Sequence, residues 1–261
     1  GQLIYNTGLL PVTSQVASFE YAGNVYPSLA GVLGYADSEE IIADTRDVWN
    51  HTETNRSYGY RRLFDTFDID AAGFDSERGG DSALFDFTLR RLPQLRQPFF
   101  AFLTTITMHY PFTQDIDREV SVALPDDMEP IERRYLERVN YFDTCLGEFI
   151  DGLKAEGLYD NSLIVIASDH EMAVTADEQL NRAARQPITF VAVNTALGEN
   201  RRIATMNQID VYPTILDLMG ASRPDGWRGV GRSVFTDIAP VDEVEAQEIS
   251  NLIIRGDYFS K

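Results

Sequence analysis

The chain has 261 residues, 44% of them hydrophobic, which suits one large α/β domain with a sizeable core and argues against disorder. Forty-one acidic against 22 basic residues give a net charge of -19, so nucleic acid and anionic membrane surfaces are repelled and no nucleic-acid partner is expected. No apolar run approaches the ~20 residues that span a bilayer, and GQLIYNTGLL has neither a basic n-region nor an apolar h-region.

In chain order, YPSLAGVLGY (26–35) reads as a helix with Pro27 in its first turn, and SEEIIAD (38–44) as a short strand. GDSALFDFTLRRL (80–92) carries an Asp at the N-cap and an apolar series through Leu84, Phe85, Phe87, Leu89 and Leu92, and Pro93 ends it. Residues 99–107 are β-branched and aromatic, predict a buried strand, and lead to His109 and the breaker Pro111. Segment 130–156 repeats apolar residues at helical spacing from Leu136 to Leu153, with Cys145 on that face, and Gly157 closes it. A single cysteine excludes an internal disulfide framework and any CxxC site. LIVIAS, within 162–168, predicts a strand buried on both faces, and PITFVAV (187–193) another. QIDVYPTILDLM (208–219) reads as a turn and a helix that begins near Pro213, with Asp210 as its cap. The tail, 241–261, is acidic and then apolar, which predicts a terminal helix followed by an edge strand or a docking segment. Alternating helices and strands of this kind predict a mostly parallel sheet sandwiched by helices.

Chemistry concentrates at two strand ends. The three histidines are His51, His109 and His170, and the last two close the buried runs TITMHYPF and IASDHEM. In an open parallel sheet, ligands gather beyond the carboxyl ends of the strands, so both histidines are expected on one edge. Imidazole there offers a metal ligand or a phosphate donor, and Asp169 beside His170 supplies negative charge for a divalent cation.

The stretches NVYPSLAGVLGY, DVWNH, YGYRRLFD, GDSALFDFTLRRL, PFFAFLTTITMHYPF, YLERVNYFDTCLGEFIDGLKAEGLYDNSLIVIASDHEM and QIDVYPTILDLMG occur in one order over about residues 6 to 236. Together they resemble the extracytoplasmic domain of lipoteichoic acid synthase-like phosphoglycerol transferases, sulfatase-like members of the alkaline phosphatase superfamily. The resemblance implies an alkaline phosphatase/sulfatase-like fold over residues 1–240, incomplete at its N-terminus, with 241–261 as a C-terminal tail. It implies Asp169 and His170 as ligands of manganese, with magnesium or zinc as alternatives, and His109, Trp49 and His51 as substrate-binding residues. It further implies a lipid-linked phosphoryl donor, a glycan acceptor, and a parent protein anchored by an upstream membrane segment and working on the periplasmic or extracellular face.

Two departures from the family pattern stand out. Ala43, Asp44 and Thr45 occupy a stretch where a pocket histidine is usual, and His51 replaces an arginine after Trp-Asn. The family's acidic metal ligand and nucleophilic threonine are expected upstream of Gly1, so the first strand counts as missing, and Thr13 and Ser14 are poor substitutes. Catalysis by this chain alone is therefore not expected, and self-association through an uncovered sheet edge is one consequence. Alternatives are a sulfatase or phosphoethanolamine transferase and, in another class, a degenerate binding or regulatory module. Cys145 lacks the C/S-x-P-x-R context of a sulfatase nucleophile. Arg61 and Arg62 are expected on a solvated face.

Overall fold

A computed structural model describes residues 1–171, 187–197, 206–256 and 258–259. Three short helices open the chain: α1 (Gln2–Thr7), α2 (Ala17–Glu20) and α3 (Leu29–Leu33). The Ser28 hydroxyl caps α3 by accepting from Gly31 N, so Pro27 lies ahead of the cap and not in the first turn. There follow β1 (Asp37–Ile42), α4 (His51–Tyr58), β2 (Arg62–Phe64), α5 (Thr66–Ala71), α6 (Ser76–Arg91) and β3 (Phe99–Thr104). After a long turn come α7 (Pro130–Ala155), β4 (Ile164–Ala167), β5 (Phe190–Val193), α8 (Val211–Leu218) and α9 (Glu243–Arg255).

β2, β1 and β3 form a parallel sheet in that order, with Asp37 opposite Phe99 and Ile42 opposite Thr104. β4 and β5 form a second ladder, Ile164 opposite Val193, and this pair is antiparallel. Alternate residues of β3 serve opposite faces, as the period of two requires. Phe99, Ala101 and Leu103 pack with Phe85 of α6 and Tyr141 and Phe149 of α7. Phe100 and Phe102 meet Tyr60 and Leu3 on the other side, and reach Tyr5, Leu29 and Tyr212. Helices thus cover both faces, as expected.

α7 buries Tyr141, Cys145, Phe149 and Leu153, four residues apart, with Pro130 in its first turn and Lys154 in its last. Burial pushes the Cys145 thiol up to about 12, which leaves it an inert core group. α6 starts earlier than its periodicity suggests: its N-cap is Asp75, and Gly79 and Gly80 sit inside it, Gly80 kinked at φ 20°, ψ -93°. α8 starts at Val211, so Pro213 falls inside its first turn, where a missing N–H is tolerated. Asp210 caps the turn ahead of α8 instead of α8 itself: its carboxylate accepts from Asn207 N at 3.0 Å and also from Arg232 N at 2.9 Å.

The tail packs into the main core, with Ala246 beside Ile4 and Ile209, and Ile254 beside Leu3 and Tyr26. Past α9, the Phe259 carbonyl accepts from Val25 N at 2.9 Å and its ring meets Tyr26. Residues 257, 260 and 261 of the expected edge strand lie outside the described residues, as do 172–186, the polar stretch ahead of β5.

β1 is buried at every position although it reads Asp-Ser-Glu-Glu-Ile-Ile. Its acids are paired. Asp37 accepts from Arg96 backbone N and Nε, which hold its carboxyl down at about 2. Glu39 takes Arg91 at 2.6 Å and Arg62 at 2.8 Å. Arg62 is therefore not a purely solvated residue, because its guanidinium reaches a carboxylate with no exposure.

Candidate active site

β3 ends at Thr104, before the expected 107, because the next residues are captured by α6. Asp81, wholly buried, accepts from Ile106 N at 2.8 Å and Thr107 N at 3.1 Å through one carboxylate oxygen. The kink at Gly80 permits this approach; a Cβ there would lie 3.1 Å from Thr107 Oγ1. Burial raises the Asp81 pKa. From this anchored turn, His109 N donates to Ile106 O and Phe112 N to His109 O, both at 2.8 Å. Phe112 is buried against Tyr135, and His109 is left exposed.

The second strand end repeats the arrangement. His109 Nδ1–H donates to Tyr110 O and His170 Nδ1–H to Glu171 O, each at 2.7 Å. Since a carbonyl only accepts, Nδ1 carries a proton in each ring, and in the neutral imidazole this leaves the lone pair on Nε2. His170 Nε2 lies 3.6 Å from Asp169 Oδ1, with the two side chains 58% and 62% exposed. The backbone beneath is pinned: Tyr5 donates to Ser168 O, and Gln208 Nε2 donates to Asp169 O at 2.7 Å.

The first turn of α1 gathers these ends. A Cβ on Gly1 would fall 2.2 Å from Asp169 Cβ, so residue 1 sits directly against the end of β4. Gln2 Nε2 donates to Glu40 Oε1 of β1 at 2.6 Å and to Thr104 Oγ1 of β3 at 3.4 Å. Thus β1, β3 and β4 present one edge, and His109, Asp169 and His170 follow it. Sequence reasoning missed Gln2, Glu40 and Asp81. An acidic residue following Gly79-Gly80 was the available signal for Asp81, and it reads equally well as a helix cap.

His51 is not at the surface. It is 4% exposed, with Nδ1 3.2 Å from Glu40 Oε1 and 3.3 Å from Gln2 Nε2, while Asn55 Nδ2 donates to Glu40 Oε2 at 2.9 Å. The expected phosphate contact is replaced by a place in the polar floor below α1, because β1 puts Glu40 in its path. Trp49, two residues earlier, is 58% exposed and stands with Asn50 at positive φ, 59° and 57°. Such pairs of non-glycine residues store roughly 1–2 kcal/mol each. Asn50 Nδ2, donating to Ser18 O at 2.7 Å, helps hold them. Ala43 continues the strand ladder and is buried, with its N donating to Thr104 O. Ser14 Oγ accepts from Arg255 of α9 at 2.6 Å.

Among the described residues, no three His, Cys, Asp or Glu side chains converge to hold a metal ion. Asp169 and His170 make a pair, and their donors fit a divalent cation: a carboxylate oxygen and an imidazole Nε2 whose ring is oriented by a carbonyl on the far side.

A parallel sheet between helix layers with an Asp-His pair at a strand end is the frame on which the family assignment rests. The chain belongs to the sulfatase family, whose model matches residues 22–221. It is 30% identical over 218 residues to lipoteichoic acid synthase 1 of Bacillus subtilis (strain 168), covering 76% of this chain and 33% of that protein. The chain spans about a third of the length of the curated relatives it matches. Among solved structures, lipoteichoic acid synthase LtaP from Listeria monocytogenes superposes with a TM-score of 0.71 at 24% identity, covering 85% of this chain and 59% of that one. An alkaline phosphatase superfamily protein from Vibrio parahaemolyticus gives 0.75 at 18%, covering 99% and 76%. Streptococcus pyogenes phosphoglycerol transferase GacH, solved with sn-glycerol-1-phosphate, gives 0.60 at 13%, covering 100% and 75%.

Proposed function

We propose that this chain is part of an enzyme that transfers phosphoglycerol, or a related phosphoryl headgroup, from a lipid donor to a cell-envelope glycan with the help of a divalent metal. The observation that carries the reading is the exposed Asp169–His170 pair with its free Nε2, on the same sheet edge as His109. Similarity to lipoteichoic acid synthases supports the substrate class. In this reading Asp169 and His170 hold the metal, manganese first and magnesium or zinc as alternatives. When bound, the metal neutralises charge on the phosphoryl group. His109 contacts a phosphate oxygen, Trp49 covers the headgroup, and His51, with Glu40 and Gln2, keeps the first turn of α1 in register with the strand ends.

We place the working protein at the outer face of the cell membrane, held there by a segment beyond these residues. No helix among the described residues is long and apolar enough to cross a membrane. Among the described residues, Asp169 and His170 are two metal-capable side chains, short of the three or four that stable sites use, so they alone are expected to hold metal weakly. The same shortfall favours, as the second reading, a binding module without catalysis. The sulfatase alternative draws no support from Cys145, whose thiol is buried and raised.

Manganese titration followed by NMR tests the site. Selective broadening of the His170 ring signals is expected, with the buried His51 ring unaffected and the effect abolished in the Asp169→Ala, His170→Ala variant. Broadening spread evenly over the acidic surface would sink the assignment. With a net charge of -19, that is the control that matters.

A further inference from the structure

Residues 105–129, between β3 and α7, form neither helix nor strand, and stretches of that length without secondary structure usually serve a function. The first part is fixed: Asp81 holds the turn before His109, and Phe112 is 1% exposed. Beyond it, none of residues 113–128 is buried, and among the described residues their one mutual backbone bond runs from Met128 N to Pro125 O at 3.4 Å. Side chains of α6 and α7 hold this strap instead. Asp117 accepts from Ser82 Oγ at 2.8 Å and from Tyr141 OH at 2.9 Å, and Ser121 N donates to Asn140 Oδ1 at 2.9 Å.

The strap lies against three arginines. α7 begins at the edge where His109 stands, since Phe112 packs on Tyr135 in its second turn, whereas Leu153 in its last turn shares a cluster with Ile164 at the start of β4. Arg133, Arg134 and Arg138 occupy these opening turns. Elsewhere Arg46, Arg62, Arg91, Arg96 and Arg118 meet carboxylates at 3.0 Å or less. Here the pattern changes. Arg133 donates to Pro125 O and Arg138 Nε to Gln114 O at 3.0 Å, so both grip the strap through neutral carbonyls. Arg138, its side chain 12% exposed, has Glu137 of the same helix at 4.0 Å. The Arg134 side chain makes no hydrogen bond or ion pair among the described residues, and its Nε is buried. The strap carries Asp115, Asp117, Glu119, Asp126 and Asp127, yet among the described residues none of them pairs with these arginines.

The strap therefore occupies donors of Arg133 and Arg138 without matching their charge, and leaves Arg134 with neither. A phosphate supplies both: its oxygens accept from guanidinium forks in pairs, and its charge meets theirs. We propose that Arg133, Arg134 and Arg138 form a binding site for a phosphate group, closed in this structure by the acidic strap 113–128, which competes with the anion. The strap leaves the sheet edge just past the His109 turn, so a phosphorylated ligand that displaces it binds beside that edge. The inference rests on the arginines and the strap and is independent of the reaction assigned above.

Titration of the 261-residue chain with inorganic pyrophosphate at constant ionic strength, followed by NMR and amide exchange, tests it. The Nε–H signals of Arg134 and Arg138 should shift to saturation, and the Ser121 amide should exchange faster as the strap leaves. Arg134→Gln removes no bond from the closed state, so the fold should persist while affinity falls about tenfold. Ser82→Ala loosens the strap without altering charge and should tighten binding about threefold, because a larger fraction of the protein is open. Dimethyl phosphate, titrated in parallel, separates a diester ligand, which it mimics, from a free or terminal phosphate, which it does not; saturation by either probe supports the site. The proposal is overturned if pyrophosphate shifts neither arginine signal, if sodium chloride reproduces the shifts, or if Ser82→Ala leaves binding unchanged or weaker.

Discussion

β1 and β3 lie side by side in one parallel sheet, and their burial is the reverse of their hydropathy. β1 carries Asp37, Glu39 and Glu40 and is buried throughout; β3, Phe-Phe-Ala-Phe-Leu-Thr, is partly exposed throughout. The difference lies in partners. Three arginines, a histidine, an asparagine and a glutamine converge on the β1 carboxylates, whereas β3 has a strand on one side and a gap on the other. Burial here follows from which neighbours are present to satisfy the backbone and the charges, and apolar content alone does not secure it.

The sharpest way to break that comparison is to remove a partner of β1. Arg91→Met leaves Glu39, with no exposure, facing only the half-exposed Arg62. The expected loss is about 3 kcal/mol, the cost of stranding a buried charge. Adding Glu39→Leu removes the stranded charge as well, frees Arg62 to water, and should restore most of the loss. Urea unfolding followed by circular dichroism measures both. A single variant within about 1 kcal/mol of the parent would mean that water already reaches Glu39.

This pairing also marks the limit of what was legible in the sequence. Apolar runs and helical spacing located β3, β4 and α7, and the same runs put His109, Asp169 and His170 just beyond the carboxyl ends of β3 and β4, where they stand. The strand at SEEIIAD was legible too. Its burial was not, because Arg62, Arg91 and Arg96 come from 23 to 59 residues away. Local pattern likewise gave no hint that His51 would turn inward to Glu40. The antiparallel direction of β5 depends on how its connection returns, which an apolar run of four residues does not encode. The sequence placed an N-cap at Asp81; the helix instead begins at Ser76 and runs through Gly79 and Gly80, because the kink lets Asp81 reach the turn after β3.

A smaller effect sharpens the contrast at the carboxyl end of β3. Asp81→Ala strips the acceptor from Ile106 N, half-buried, and Thr107 N, buried, and should cost about 2 kcal/mol. Asp81→Asn keeps the accepting oxygen and should cost less than half of that. The specific readout is the Phe112 amide, which bonds to His109 O. It should exchange faster in the alanine variant at denaturant concentrations where the fold is intact. Equal exchange in both variants would mean that the His109 turn is held by Phe112 packing and not by Asp81.

The smallest effect on stability is expected at Trp49. The ring is 58% exposed, so its contribution through burial is slight, and its positive φ is a conformation that glycine adopts freely. In Trp49→Gly the relief of backbone strain and the added freedom of the unfolded chain oppose each other. Stability should remain within about 0.5 kcal/mol of the parent. A residue kept in a costly conformation with little packing in return is best explained by what it touches when a ligand binds. Under the proposed phosphoglycerol transfer, Trp49→Gly should raise KM for the lipid donor while leaving the unfolding curve in place, and Trp49→Phe should recover part of the affinity. A loss of more than about 1 kcal/mol in the glycine variant would instead make Trp49 a packing residue, and the headgroup would need another cover on this edge.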